Sequence, residues 1–118
     1  MTKTARSIFA FGVYLLPLGL LVMLAPNFFL SLFFVSPTSE VWIRVMGMLI
    51  IWLAIFYCVT GQYELRPLFI WTVRNRVATF LILGAFVVLG MAPVQLVTFG
   101  FADLFAALWT WSLMRREV

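Results

Sequence analysis

The sequence predicts an all-α membrane protein in which four transmembrane helices form an antiparallel bundle, with a short interfacial segment between the first and second. Three observations carry this reading. Of 118 residues, 65% are apolar and 10% charged, against roughly 25% charged in ordinary soluble domains. A soluble domain of this size cannot hide that much apolar surface, so the surplus must face lipid. The apolar residues also fall in four runs, 8–24, 41–60, 77–92 and 94–114, each about 16 to 21 residues and so about the length that crosses a bilayer core. Finally, the basic residues alternate in side: with the N-terminus inside, seven of the eight, Lys3, Arg6, Arg66, Arg74, Arg76, Arg115 and Arg116, fall on the cytoplasmic face. That is the positive-inside bias, and it puts both termini and the 61–76 connection in the cytoplasm.

The first run follows Lys3 and Arg6 as a signal peptide would, but Leu24 and Pro26 stand where a cleavage site needs small residues, so it reads as a retained helix. Gly12 and Gly19 share one of its faces, with Pro17 between them as an expected kink. The segment 28–35 is apolar but too short to cross, so it should lie in the outer headgroup region or tuck against the bundle. Ser39 is the expected N-cap of span two, with Glu40 in its first turn at the positive end of the helix dipole. Span three is expected over 77–92, with an inner end that the apolar run 68–73 could move earlier. Pro93 follows directly and requires a tight outer junction to span four. Tyr57, Tyr63, Trp71, Trp109 and Trp111 toward the inside and Trp42 outside fit the aromatic belts of a membrane protein. Leu24-Ala25-Pro26 and Met91-Ala92-Pro93 form a faint internal echo.

Chemistry is restricted by what is missing. The chain has no His and one Cys, Cys58, which removes His-ligated haem, Ser-His catalysis and any internal disulfide relay. No cofactor, metal site or nucleic-acid partner is expected, and the +4 net charge reads as a topology device and an attraction to anionic lipid headgroups. Within the spans as drawn, two charges remain, Arg44 and Asp103. Intramembrane charges cost about 2.5 to 3.5 kcal/mol each on insertion scales, so each needs a partner or a wet cavity. Their depths differ by roughly 9 Å, which a long arginine side chain largely bridges, so Arg44 is the expected partner and Arg76, at the cytoplasmic end, the poorer one. The pair is either the floor of an outward-facing cleft or a helix staple with Arg44 snorkelling outward. Below Arg44 the face continues through Gly47, Ile51, Ile55 and Cys58. Below Asp103 it runs through Ala106, Ala107, Thr110 and Met114, so spans two and four are expected to meet. Candidate ligand-binding or helix-pairing residues are therefore Arg44, Gly47, Asp103 and Thr110, with no catalytic residue.

Trp42-x-Arg44-x-x-Gly47 opening span two, Arg76 opening span three, and Asp103 with Ala106, Ala107 and Thr110 in span four resemble small bacterial four-helix membrane proteins of the DoxX-like type. The resemblance covers most of the chain through short motifs. It implies a bundle in the bacterial inner membrane and no catalytic residue. Small multidrug transporters carry a membrane-embedded Glu in their first helix, which 8–24 lacks, and quinone-linked thiol oxidases need cysteine pairs. The expected function is a non-enzymatic accessory or oligomeric subunit, either a homo-oligomer or part of a larger membrane complex. The alternative is binding or transport of a lipid-like or quinone-like molecule in a cleft near Arg44 and Asp103.

Overall fold

A computed structural model describes residues 1–117. They form α1 (Lys3–Leu24), α2 (Pro26–Leu32), α3 (Trp42–Gln62), α4 (Arg66–Val88) and α5 (Val97–Glu117), with one 3-10 turn, Val94–Leu96, leading into α5. Four helices are long and apolar enough to cross a membrane. The longest dimension is 46 Å, about that of a bilayer with its headgroups.

Helix α1 is capped by Thr2, whose Oγ1 accepts from the Ala5 backbone N–H at 3.2 Å. The Thr2 N–H donates in turn to Glu64 Oε1 at 2.9 Å, tying the chain's start to the turn after α3. Glu64 sits in the left-handed region at φ 49°. Leu65 N–H to Thr60 O (3.0 Å) and Glu64 N–H to Gly61 O (3.3 Å) close α3 around it in a Schellman pattern. The Thr2 bonds hold the Glu64 carboxyl below the usual carboxylate range. Pro17 lies inside α1, which is continuous through it.

Several boundaries differ from the sequence reading. The interfacial segment begins at Pro26, in the first turn of α2, and ends before Phe34, which takes a left-handed conformation at φ 57°. Phe29 and Leu30 are buried with Val22 against Phe33, Ile43 and Phe99, so α2 tucks over the end of the bundle. Ser39 does not cap span two. Thr38 holds that turn instead, donating its N–H to Asn27 Oδ1 at 2.8 Å and accepting from the Glu40 N–H at 3.2 Å, and α3 starts at Trp42 without a side-chain cap. Span three starts eleven residues early in numbering, at Arg66 rather than 77, because Pro67 suits a first helical turn and long arginine side chains do not interrupt a helix. The connection before it shrinks from 61–76 to 63–65, and Arg74 and Arg76 enter the helix. Its C-terminal end comes at Val88, not 92, because Gly90 at φ 75° ends it, with Met91 N–H bonded to Phe86 O at 2.8 Å and Gly90 N–H to Val87 O at 3.0 Å.

The helices associate as two pairs, α1 with α3 and α4 with α5, joined by thinner contacts, mostly between α1 and α5. The α1–α3 seam is a heptad of small residues. Ala5 lies against Gly61, Gly12 against Ala54 and Cys58, and Gly19 against Gly47 and Ile51. A Cβ on Gly12 would come within 2.9 Å of Ala54 O, and one on Gly47 would collide with the Met23 backbone. Spans two and four were expected to meet; the small stripe of α3 is instead spent on α1, because glycine lets two backbones approach more closely than any side-chain contact does. Tyr57, read as an interfacial anchor, is buried in the core with Ile8, Phe11, Leu15 and Phe69.

Candidate functional site

The sequence placed Arg44 and Asp103 together; the structure does not. Arg44, on the exposed first turn of α3, donates from Nη1 to the carbonyls of Met23 (2.9 Å) and Leu24 (3.4 Å). Those are unsatisfied carbonyls at the C-terminal end of α1, where a cation also complements the helix dipole. Gly47, one turn on, lets α3 reach the Met23 backbone. The Trp42-x-Arg44-x-x-Gly47 motif thus docks the start of α3 onto the end of α1. Beside Arg44 lies an open polar groove of about 540 Å³ lined by Asn27, Thr38, Ser39 and Glu40. Asp103 takes no part in it.

The charge within electrostatic reach of Asp103 is Arg76, across the α4–α5 pair, although no ion pair joins the two among the described residues. Arg76 is 1% exposed and touches all four long helices. Its Nε donates to Thr72 O at 3.0 Å and its Nη2 to Thr72 Oγ1 at 3.1 Å within α4. The same Nη2 donates to Thr110 Oγ1 of α5 at 3.1 Å. Thr110 shares a 2.8 Å hydroxyl contact with Ser7 of α1, which donates to Thr4 O at 2.7 Å. The guanidinium carbon stands 5.0 Å from the ring centre of Phe11 on α1 and 5.6 Å from that of Tyr57 on α3. Such ring faces attract a cation, the more so when it is desolvated. Nη1 is buried and has no hydrogen-bond partner.

Two grooves flank this hub. One, between α1 and α5, holds about 240 Å³ and is lined by Ala10, Phe11, Tyr14, Ala102, Ala106 and Trp109. The other, between α3 and α4, holds about 160 Å³, with Tyr57, Thr60, Thr72 and Asn75 among apolar neighbours. Of the four candidate residues, Thr110 lies in the hub, Asp103 beside it, and Arg44 and Gly47 at the other end of the bundle. Sequence reasoning did not select Ser7, Thr72 or Arg76 as site residues. The available signal was Thr72-x-x-x-Arg76, an i, i+4 pair that becomes visible only when the helix is begun at Pro67.

The class that fold and site define is a helical bundle, with four helices able to cross a membrane, centred on one buried arginine. No protein-family model, curated protein or solved structure matches the chain.

Proposed function

We propose that the chain is a small multi-pass protein of the bacterial inner membrane, an antiparallel four-helix bundle with both termini cytoplasmic, that works as a non-enzymatic accessory or oligomeric subunit. The opposed order of contacts along α1 and α3, and the reach from Arg76 to Thr110 while Phe80 and Leu83 lie by Gly100, support the antiparallel arrangement. The basic-residue bias supports the orientation. The likeness to DoxX-like proteins points the same way.

The observation that carries the assembly reading is Asn75. It lies roughly 14 Å into α4, its side chain is exposed, and its amide has no partner among the described residues. Only 11% of the apolar window of α4 is buried, against 39% for α1, so α4 is the helix with most surface left for another chain. An amide both donates and accepts, so two copies related by a two-fold axis satisfy each other, and cross-helix amide bonds are worth up to about 1–2 kcal/mol in membranes.

Native mass spectrometry from mild detergent tests this. The wild-type chain should leave the micelle as a homo-oligomer, and Asn75→Leu should shift it toward monomer without loss of helix content. A wild-type chain that is monomeric at every concentration overturns the reading. Thiol labelling of single cysteines placed next to Met1 and Arg116 in intact cells should find both ends protected.

A further inference from the structure

A charge taken out of water needs an opposite charge or a full set of hydrogen bonds, and Arg76 has neither. Two of its three nitrogens are used and Nη1 is buried without a partner. The described acidic side chains do not complete it. Glu64 is bound to Thr2, Glu40 lies in the turn held by Thr38 beside Arg44, and Asp103 is within electrostatic reach but forms no ion pair with it. Side chains tilt toward their own helix N-terminus. In the antiparallel arrangement Arg76 therefore leans toward the cytoplasmic end, where Thr72 and Thr110 receive it, and Asp103 leans the other way. No described acidic side chain supplies the missing anion, which leaves a ligand from beyond the described residues to supply it.

Its source follows from the depth. The guanidinium is level with Ser7 and Thr110, within about 1.5 Å of the level of Arg6 and about a turn and a half from Arg115, at the end of the bundle that also carries Arg74, which stands 5.1 Å over the Trp71 ring. Juxtamembrane cations of this kind concentrate anionic phospholipid in the cytoplasmic leaflet. The groove between α3 and α4 opens from the lipid side between Leu53, Phe56 and Leu68, and is walled by Tyr57 and Thr72, the two residues that themselves touch Arg76. At about 160 Å³ it is smaller than the roughly 300 Å³ needed to enclose a small ligand. It suits a segment of an acyl chain whose remainder stays in the bilayer.

We propose that this groove binds an anionic phospholipid, the acyl chain lying between α3 and α4, and that Tyr57 and Thr72, which separate the groove from the buried guanidinium, part to let the headgroup phosphate accept from Arg76 Nη1. The proposal rests on the cytoplasmic orientation given above for the choice of leaflet. Its test in detergent does not depend on orientation, so the two fail separately.

The probe is phosphatidylglycerol titrated into delipidated protein in a non-ionic detergent, with the thermal midpoint and native mass spectra as readouts. Phosphatidylglycerol should raise the midpoint saturably and remain bound in the gas phase, while phosphatidylcholine does so more weakly. Arg76→Gln should weaken phosphatidylglycerol about tenfold to a hundredfold, the worth of a hydrogen bond to a charged group, and leave phosphatidylcholine unchanged. Leu53→Trp fills the groove at a 46% exposed position without touching the arginine, and should abolish the phosphatidylglycerol shift even if Arg76→Gln does not fold. Equal response to both lipids, an equal response to inorganic phosphate, or an undiminished shift in Leu53→Trp would each overturn the proposal.

Discussion

Helices α1 and α3 meet backbone to backbone, whereas α4 and α5 meet through side chains. Along the first pair, Ala5, Gly12 and Gly19 face Gly61, Ala54 and Gly47, and no added methyl group fits at any of the four glycines. Along the second, Gly100 faces the Phe80 ring, Phe80 and Phe101 stand 5.1 Å apart, and Gly84 has open space around it. The contrast teaches where a small membrane bundle is held. Lipid tails are as apolar as leucine, so apolar surface alone gives helices no reason to associate, and close packing and interhelical hydrogen bonds decide. The first pair uses packing. The second depends on the polar hub that Arg76, Thr110 and Ser7 build against the first.

The strongest way to break the comparison is Gly47→Leu. The new side chain would run into the Met23 backbone, which cannot rotate aside, and should cost at least about 3 kcal/mol, read as loss of the folded form in reversible unfolding in mixed micelles. Next is Thr110→Val, which keeps shape but removes the acceptor of Arg76 Nη2 and the partner of Ser7. Arg76 Nη2 keeps its bond to Thr72 Oγ1 and Ser7 its bond to Thr4 O, but one Nη2 hydrogen and the Ser7 oxygen lose their buried partner, which should cost about 1–3 kcal/mol. Thr79→Val, which loses only a bond to the Asn75 carbonyl in its own helix, should be near neutral in the same assay. Smaller still, Gly100→Ala meets a movable ring edge at 3.2 Å and Gly84→Ala meets nothing within 4 Å. The first should cost under about 1 kcal/mol, and the second should be neutral or gain up to about 1 kcal/mol of helix propensity. If either matched Gly47→Leu, the two pairs would not differ as described.

The smallest effect concerns the tie between Thr2 and Glu64. The folded carboxyl is held below its ordinary value of 4.5, chiefly by the Thr2 N–H. Its stabilisation is therefore present above that value and lost as pH falls through the lower folded one. The protection of the Thr2 amide relative to its intrinsic exchange rate should fall over that acidic range in the wild type, and Glu64→Gln should remove the extra acid dependence.

Much of the architecture was legible because it follows from local quantities. Run length and the scarcity of charge locate four helices, and Pro26 and Pro93 mark where chain segments change. Boundaries were less legible. Gly90 and Glu64 end helices through left-handed turns closed by bonds five residues back, which composition does not announce. The site was the least legible part. Arg44 and Asp103 were paired on depth alone, and depth says nothing about which helices are neighbours.

The sequence by itself determined an all-helical chain with four helices of membrane-crossing length, because hydropathy and helix rise are properties of a single segment. Only the tertiary structure decided that the small residues of α3 face α1, that Arg44 closes the end of α1, and that the buried charge is Arg76. The physical reason is that a partner is chosen by how closely two surfaces approach, and that distance belongs to neither segment alone.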